Sequence, residues 1–309
     1  MFDQGRNQIS LRDGRRLVFS LAGRRDGIPV VYCHGAIGTP LETSVDLDSI
    51  TSELGVHHIA ICRPGIGGSD PAPGRDLLSF ADDVRELADA LALERFRIVG
   101  VSAGGPYALA IAQRLRHRVI AAAICSSLSP LSAPHRTPGM CRRIQLPLAL
   151  VARAPGLCEA LGELALPFIR RHPHLLSRVI AAHAAPEERR LLHTAGERTA
   201  ASTSFLTAAG QGVGGMIEDY LVYARPWGFD PREVTTEIQL WHGARDPLVP
   251  LEHALQLAVT LPRSQLFVAA DEGHPFFRCR LRRILAALLG RELDGTDELV
   301  PLRRSPLTR

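Results

Sequence analysis

The sequence predicts an α/β protein with a mostly parallel sheet, helices on both of its faces, and a helical segment inserted late in the chain. Three observations carry this prediction. Apolar runs of strand length recur along the chain, amphipathic stretches alternate with them, and the alternation stops between about residues 131 and 225. Continuous apolar runs suit strands covered on both faces, and alternation of strand with helix is the pattern of a parallel sheet.

The elements follow in order. Ile9 to Leu11 and Leu17 to Leu21 flank the turn dipeptide Asp13-Gly14, an antiparallel hairpin. Strands are predicted at Pro29 to Cys33, Val56 to Cys62, Phe96 to Val101, Val119 to Cys125, Ile238 to Trp241 and Gln265 to Ala269. Leu77, Phe80, Val84, Leu87, Ala88 and Leu91 fall on one helical stripe, with Asp82 and Asp83 expected near its start, where the helix dipole favours them. Further helices are predicted at Ala103 to Leu115, Leu251 to Thr260 and Pro275 to Leu289. Between 131 and 225 there is no strand run, and prolines 134, 138, 147, 155, 167, 173 and 186 divide short helical stretches, which predicts a helical cap. The expected division is therefore a core in two parts, 1–130 and 226–290, a cap at 131–225, and a loosely attached tail at 291–309.

Composition bounds the function. With 309 residues, 46% hydrophobic and 22% charged, the chain suits one large buried core. All 36 basic residues are arginines, and they are scattered, so the net charge of +4 forms no stripe for nucleic acid. No apolar run approaches the roughly 20 residues of a membrane span. The opening MFDQGRNQIS lacks the basic and apolar regions of a secretion signal, so a cytoplasmic location and no membrane partner are expected. The six cysteines form no C-x-x-C pair and no zinc spacing, and neither metal nor disulfide is expected. Residues 210–215, GQGVGG, satisfy G-x-G-x-x-G but lack the strand that must precede a dinucleotide site, so they read as a hinge or packing point and no cofactor is expected.

Chemistry concentrates at FRIVGVSAGGPYALA, where Gly100, Ser102 and Gly104 lie between a strand and a helix. A turn this sharp brings strand and helix too close for side chains at 100 and 104, and holds Ser102 in a strained conformation beside a helix N-terminus that favours negative charge. The Ala103 amide is then one donor to an oxyanion. Serine at neutral pH needs an imidazole to take its proton and a carboxylate to fix the imidazole tautomer.

Five segments together resemble the α/β-hydrolase superfamily, from the first hairpin to about Gly290: YCHGAIGTP, RPGIGGSDP, GVSAGGPYALA, WHGARDPLVP and DEGHPFF. The resemblance implies Ser102 as nucleophile, Asp246 as acid and His274 as base, in that chain order. It also implies a second oxyanion amide from Ala36, with Ile37 as the alternative, and a loop-shaping role for His34. The strand before position 126 ends in Cys125-Ser126-Ser127 with no carboxylate, which leaves Asp246 as the acid, while Asp271 and Glu272 read as a solvent-facing pair. The stretch RPWGFD resembles the return segment of a capped bacterial subgroup, and Tyr220, Tyr223 and Trp227 beside it are candidates for lining a substrate pocket or for packing.

The function this implies is hydrolysis of a small-molecule ester, lactone, thioester or activated carbonyl through an acyl-enzyme. Two alternatives stand beside it. One is a ligand-binding or receptor-like homologue with little turnover; the other is a proline-releasing aminopeptidase, in which Glu218-Asp219 would bind the substrate amino terminus.

Overall fold

The computed structural model describes residues 7–36, 38–39, 46–131, 142–173, 175, 195–291 and 299–303. Nine strands form one sheet among the described residues: β1 (Asn7–Ser10), β2 (Arg16–Gly23), β3 (Ile28–Cys33), β4 (Val56–Ile61), β5 (Phe96–Val101), β6 (Val119–Cys125), β7 (Glu237–Gly243), β8 (Ser264–Ala269) and β9 (Leu299–Arg303). Their order is β1-β2-β4-β3-β5-β6-β7-β8-β9. The run from β4 through β8 is parallel, and β1, β2 and β9 are antiparallel to their neighbours.

Period-two alternation explains why these strands read as unbroken apolar runs. Val31, Cys33, Ile59, Ile61 and Ile98 enter one cluster, with α2 (Leu77–Ala90), α3 (Gly104–Arg114) and α8 (Leu251–Thr260). Val30, Tyr32, Ala60, Val99 and Val101 enter the other, with α1 (Leu47–Glu53) and α9 (Phe276–Leu288). Both faces are buried, so no polar alternation survives in the sequence.

Local chemistry sets the helix ends. Asp76 caps α2 by accepting from the Ser79 amide at 2.7 Å, while the Ser79 side chain closes the reciprocal bond. Asp82 and Asp83, expected at the helix start, lie in its second turn instead. They serve arginines there: Arg114 reaches Asp82 at 3.1 Å and Arg15 of the hairpin reaches Asp83 at 2.6 Å.

Between β6 and β7 the described residues form helices: α4 (Arg142–Arg153), α5 (Pro155–Arg171), α6 (Ala195–Ala208) and α7 (Gly214–Ala224). Helices α5, α6 and α7 with the turn between the last two share a small apolar cluster of Leu166, Ala208, Ala209, Val213 and Met216 with Ile66 from the loop after β4. Two glycine-rich loops explain the closeness. A Cβ at Gly65 would lie 2.9 Å from the Cα of Gly215, so core loop and inserted helix touch backbone to backbone. This contact absorbs part of the GQGVGG pattern as packing.

Two features escaped the sequence reading. Helix α1, seven residues of LDSITSE, is too short and polar to show a stripe. The tail expected to be loosely attached carries β9, paired to β8 from Gln265↔Arg303 to Ala269↔Leu299. No described helix is long and apolar enough to cross a membrane.

Candidate active site

Ser102 sits at the turn from β5 into α3 with φ of 53°, a left-handed conformation rare for a residue with a side chain. The turn is held by Ser102 N–H donating to Cys125 O at 2.8 Å and by Gly105 N–H returning to Ser102 O at 3.1 Å. Its glycines are required by space. A Cβ at Gly100 would fall 2.6 Å from Ala108 Cβ, and one at Gly104 would fall 2.6 Å from His34 O. The second contact places the backbone of the His34-Gly35 loop directly against the first turn of α3. Ala103 occupies the N-cap position there, so its amide is among those without a partner inside the helix.

The three residues singled out for catalysis come together from three loops at the carboxyl edge of the sheet. His274 Nε2 lies 3.0 Å from Ser102 Oγ, and His274 Nδ1 lies 2.7 Å from Asp246 Oδ2. Asp246 Oδ1 accepts the amides of Leu248 and Val249, each at 2.9 Å, so both oxygens are committed. Burial opposes its charge, but the facing His274 and these bonds hold its carboxyl below the ordinary carboxylate range. A carboxylate on Nδ1 fixes the proton there and leaves the Nε2 lone pair toward Ser102. The backbone of the His274 loop is held as well, since Ser126, itself at φ of 47°, donates from Oγ to the His274 carbonyl oxygen at 3.0 Å.

Two other histidines near the site have structural partners. His34 Nδ1–H donates to Gly35 O at 2.9 Å, and burial followed by the nearby Arg63 charge pushes its pKa down to about 3. It is a neutral shaper of its loop. His242 Nε2–H donates to Val249 O at 2.8 Å, beside Asp246. Asp271 pairs with Arg245 and Glu272 with Arg280, so both acids near His274 in sequence are engaged by arginines.

A second constellation was missed by sequence reasoning. Arg63, wholly buried after β4, donates from Nη1 to His34 O at 2.5 Å, from Nη2 to Gly35 O at 2.7 Å and from Nε to Asp219 Oδ2 at 2.8 Å. Asp219 of α7 also accepts from Arg75 Nη2 at 2.5 Å and from Tyr107 OH at 2.8 Å. Burial disfavours its charge, yet Arg63 and Arg75 hold its carboxyl below the ordinary range. Glu218 and Asp219, the pair that the aminopeptidase alternative would use, are both engaged within the protein. Asp219 is sealed behind two arginines, and Glu218 accepts the Gly74 amide at 3.1 Å.

The pocket candidates divide. Tyr223 and Trp227 are 3% and 4% exposed and belong to the larger core cluster, the packing alternative. Tyr220 is partly exposed, and its ring meets Tyr223 at 6.3 Å. Ala36 is described and half-buried, whereas Ile37 lies outside the described residues.

The profile of the alpha/beta hydrolase fold family matches residues 28–277. An uncharacterized protein of Mycobacterium tuberculosis is 26% identical over 281 residues, covering 85% of this chain and 74% of that one. A hydrolase from Pseudomonas aeruginosa superposes with a TM-score of 0.70 at 15% identity, covering 93% of this chain and 98% of its own. A thermophilic esterase from Thermogutta terrifontis superposes at 0.68 with 22% identity, covering 92% and 97%. At these identities the two structures speak for the fold. With the matched family spanning both the Ser102 turn and His274, the chain belongs to the alpha/beta hydrolase fold family.

Proposed function

We propose that this protein is a serine-dependent hydrolase of ester-like or otherwise activated carbonyls, working through an acyl-enzyme on Ser102. The observation that carries the reading is one imidazole bridging the Ser102 hydroxyl at 3.0 Å and the Asp246 carboxylate at 2.7 Å. Ser102 Oγ attacks the carbonyl carbon as its proton passes to His274 Nε2, and Asp246 stabilises the resulting imidazolium. The amides of Ala103 and Ala36 receive the oxyanion. Collapse expels the leaving group, which takes the proton from His274. Water then repeats the sequence in reverse and frees the acid.

In this reading residues 131–225 act as a cap over the carboxyl edge of the sheet and select which acyl groups reach Ser102. Tyr220 is the aromatic left for that role. The substrate is a small molecule, no cofactor takes part, and a non-catalytic ligand-binding role is the alternative.

The test is reaction with a small fluorophosphonate followed by peptide mapping, on wild type and Ser102→Ala together. Stoichiometric labelling of Ser102, with ester turnover lost in the variant, is the expected result. Labelling elsewhere, or a folded Ser102→Ala that still hydrolyses aryl esters, overturns the assignment.

A further inference from the structure

We propose that Asp219, reaching in from the inserted helices, positions the oxyanion loop through Arg63, so that the insertion governs the chemical step as well as access to it. The inference rests on the reading above, in which the amide after Gly35 receives the oxyanion.

Peptide geometry supplies the link. Gly35 C=O and Ala36 N–H belong to one planar unit and point in opposite directions. Arg63 Nη2 grips Gly35 O at 2.7 Å while Nη1 grips His34 O at 2.5 Å, so the two successive carbonyls, and with them the direction of the Ala36 amide, are fixed by one guanidinium. The guanidinium is itself held from its other edge by Asp219, which takes its Nε at 2.8 Å. Asp219 is anchored in turn by Arg75 and by Tyr107, whose ring also carries the Arg63 cation at 5.0 Å from its centroid. Tyr107 stands one turn into α3, the helix that begins at the nucleophile.

The bracing therefore joins the loop after β3, the loop after β4, the nucleophile helix and inserted helix α7 through a single carboxylate. A separate tie runs from the same loop to α6. Thr39 N–H donates to Ser204 Oγ at 3.0 Å, and the two hydroxyls lie 3.2 Å apart, both buried. A buried ion pair is weak evidence for stability by itself, because desolvation offsets much of the attraction. What it supplies here is direction, and five coplanar donors in a fixed fork hold three acceptors in one plane, an arrangement that the tetrahedral, freely rotating donors of an ammonium do not impose.

The experiment measures kcat and KM on 4-nitrophenyl acetate, and the second-order rate of Ser102 labelling by a small fluorophosphonate. It compares wild type, Arg63→Lys, Asp219→Asn, Asp83→Asn and Ser102→Ala, each well below its own Tm. Losing a whole oxyanion donor costs about 10²–10³ in kcat. A misdirected donor should cost about 10- to 100-fold, with KM within about twofold and labelling slowed in parallel. Asp83→Asn breaks the Arg15 pair on α2, outside this bracing, and controls for destabilisation alone; it should lower Tm and leave kcat near wild type. Wild-type kcat in folded Arg63→Lys and Asp219→Asn, beside an inert Ser102→Ala, overturns the positioning inference only. Turnover by Ser102→Ala overturns the underlying reading instead. If Asp219→Asn does not fold, Arg63→Lys decides, since it keeps the buried charges balanced while giving up the fork; a kcat loss matched by Asp83→Asn also counts against the proposal.

Discussion

Asp246 and Asp219 are both buried aspartates bonded on both oxygens, yet their partners differ in kind. Asp246 faces an imidazole, a group that can take up and release a proton, with its side chain 16% exposed. Asp219 faces two guanidiniums that stay charged and are almost wholly buried, and their protons are held more tightly than in free arginine. In the proposed mechanism one carboxylate lets a proton move, while the other holds its partners in place. The partner's capacity to titrate, rather than the depth of burial, separates a site for chemistry from a brace.

The sharpest way to break this contrast is Asp246→Asn. An amide at 246 cannot hold His274 in the required tautomer, and kcat is expected to fall by about 10⁴, the scale known for serine proteases. Tm should change modestly. If the variant keeps most of its rate, Asp246 is no more than a turn residue.

Asp219→Ala should show the opposite balance in stability. Removing one partner of a buried charge cluster leaves Arg63 and Arg75 uncompensated, and a loss of about 3–5 kcal/mol is expected in urea denaturation. A loss under about 1 kcal/mol would mean that water readily replaces the carboxylate.

Acid titration sharpens the comparison further. Burial pushes the pKa of His58 and of His253 down to about 4, and that of His34 to about 3, from an ordinary 6.5. The unfolded chain takes up these protons first, so stability is full above about pH 7 and falls as the pH drops from 6.5 toward 4. Each histidine contributes up to about 1.4 kcal/mol per pH unit in that window. The Asp219 contribution, with its lowered pKa, persists until the pH falls below the ordinary 3.8. Denaturation midpoints between pH 8 and 4 should therefore decline, and His58→Gln should flatten the slope. A profile flat to pH 4 in wild type would show that these rings ionise without cost.

The smallest effect is expected at Asp271, whose side chain is 77% exposed and pairs with Arg245 on the surface. Asp271→Asn should alter kcat by less than about twofold and stability by less than about 1 kcal/mol. A large loss of activity there would move the acid away from Asp246.

How much of this was legible in the sequence depended on what each residue leaves behind as a pattern. Strands β5 and β6 were bounded to the residue, because burial on both faces leaves continuous apolar runs. The convergence of Ser102, Asp246 and His274 was legible because each follows a strand in a distinctive turn motif. Arg63, Arg75 and Asp219 were not. In a chain whose basic residues are all arginine, a buried one looks like the rest, and Asp219 is separated from Arg63 by 156 residues, beyond any local spacing. The available signal was an arginine directly following the apolar run Ile59 to Cys62, where a solvated charge is out of place. Strand β9 left no signal, since LVPLR carries a proline that argues against an interior strand and is tolerated only at the sheet's last position.

The contact between Gly65 and Gly215 has a consequence for motion. Where two backbones meet with no side chain between them, no rotamer can change to let the surfaces slide, so α7 must travel with the core loop or part from it altogether. Opening of the insertion is thereby confined to the chain before Gly212, whose φ of 103° marks a backbone bend that a residue with a side chain would resist. On one side of that bend lies α7, anchored by Asp219; on the other lie α4 and α5, with Leu146, Leu150, Leu161 and Phe168 facing solvent. Amide hydrogen exchange should divide at the same point, slow through 214–224 and faster through 142–153, and uniform exchange across both would mean that the insertion moves as one body.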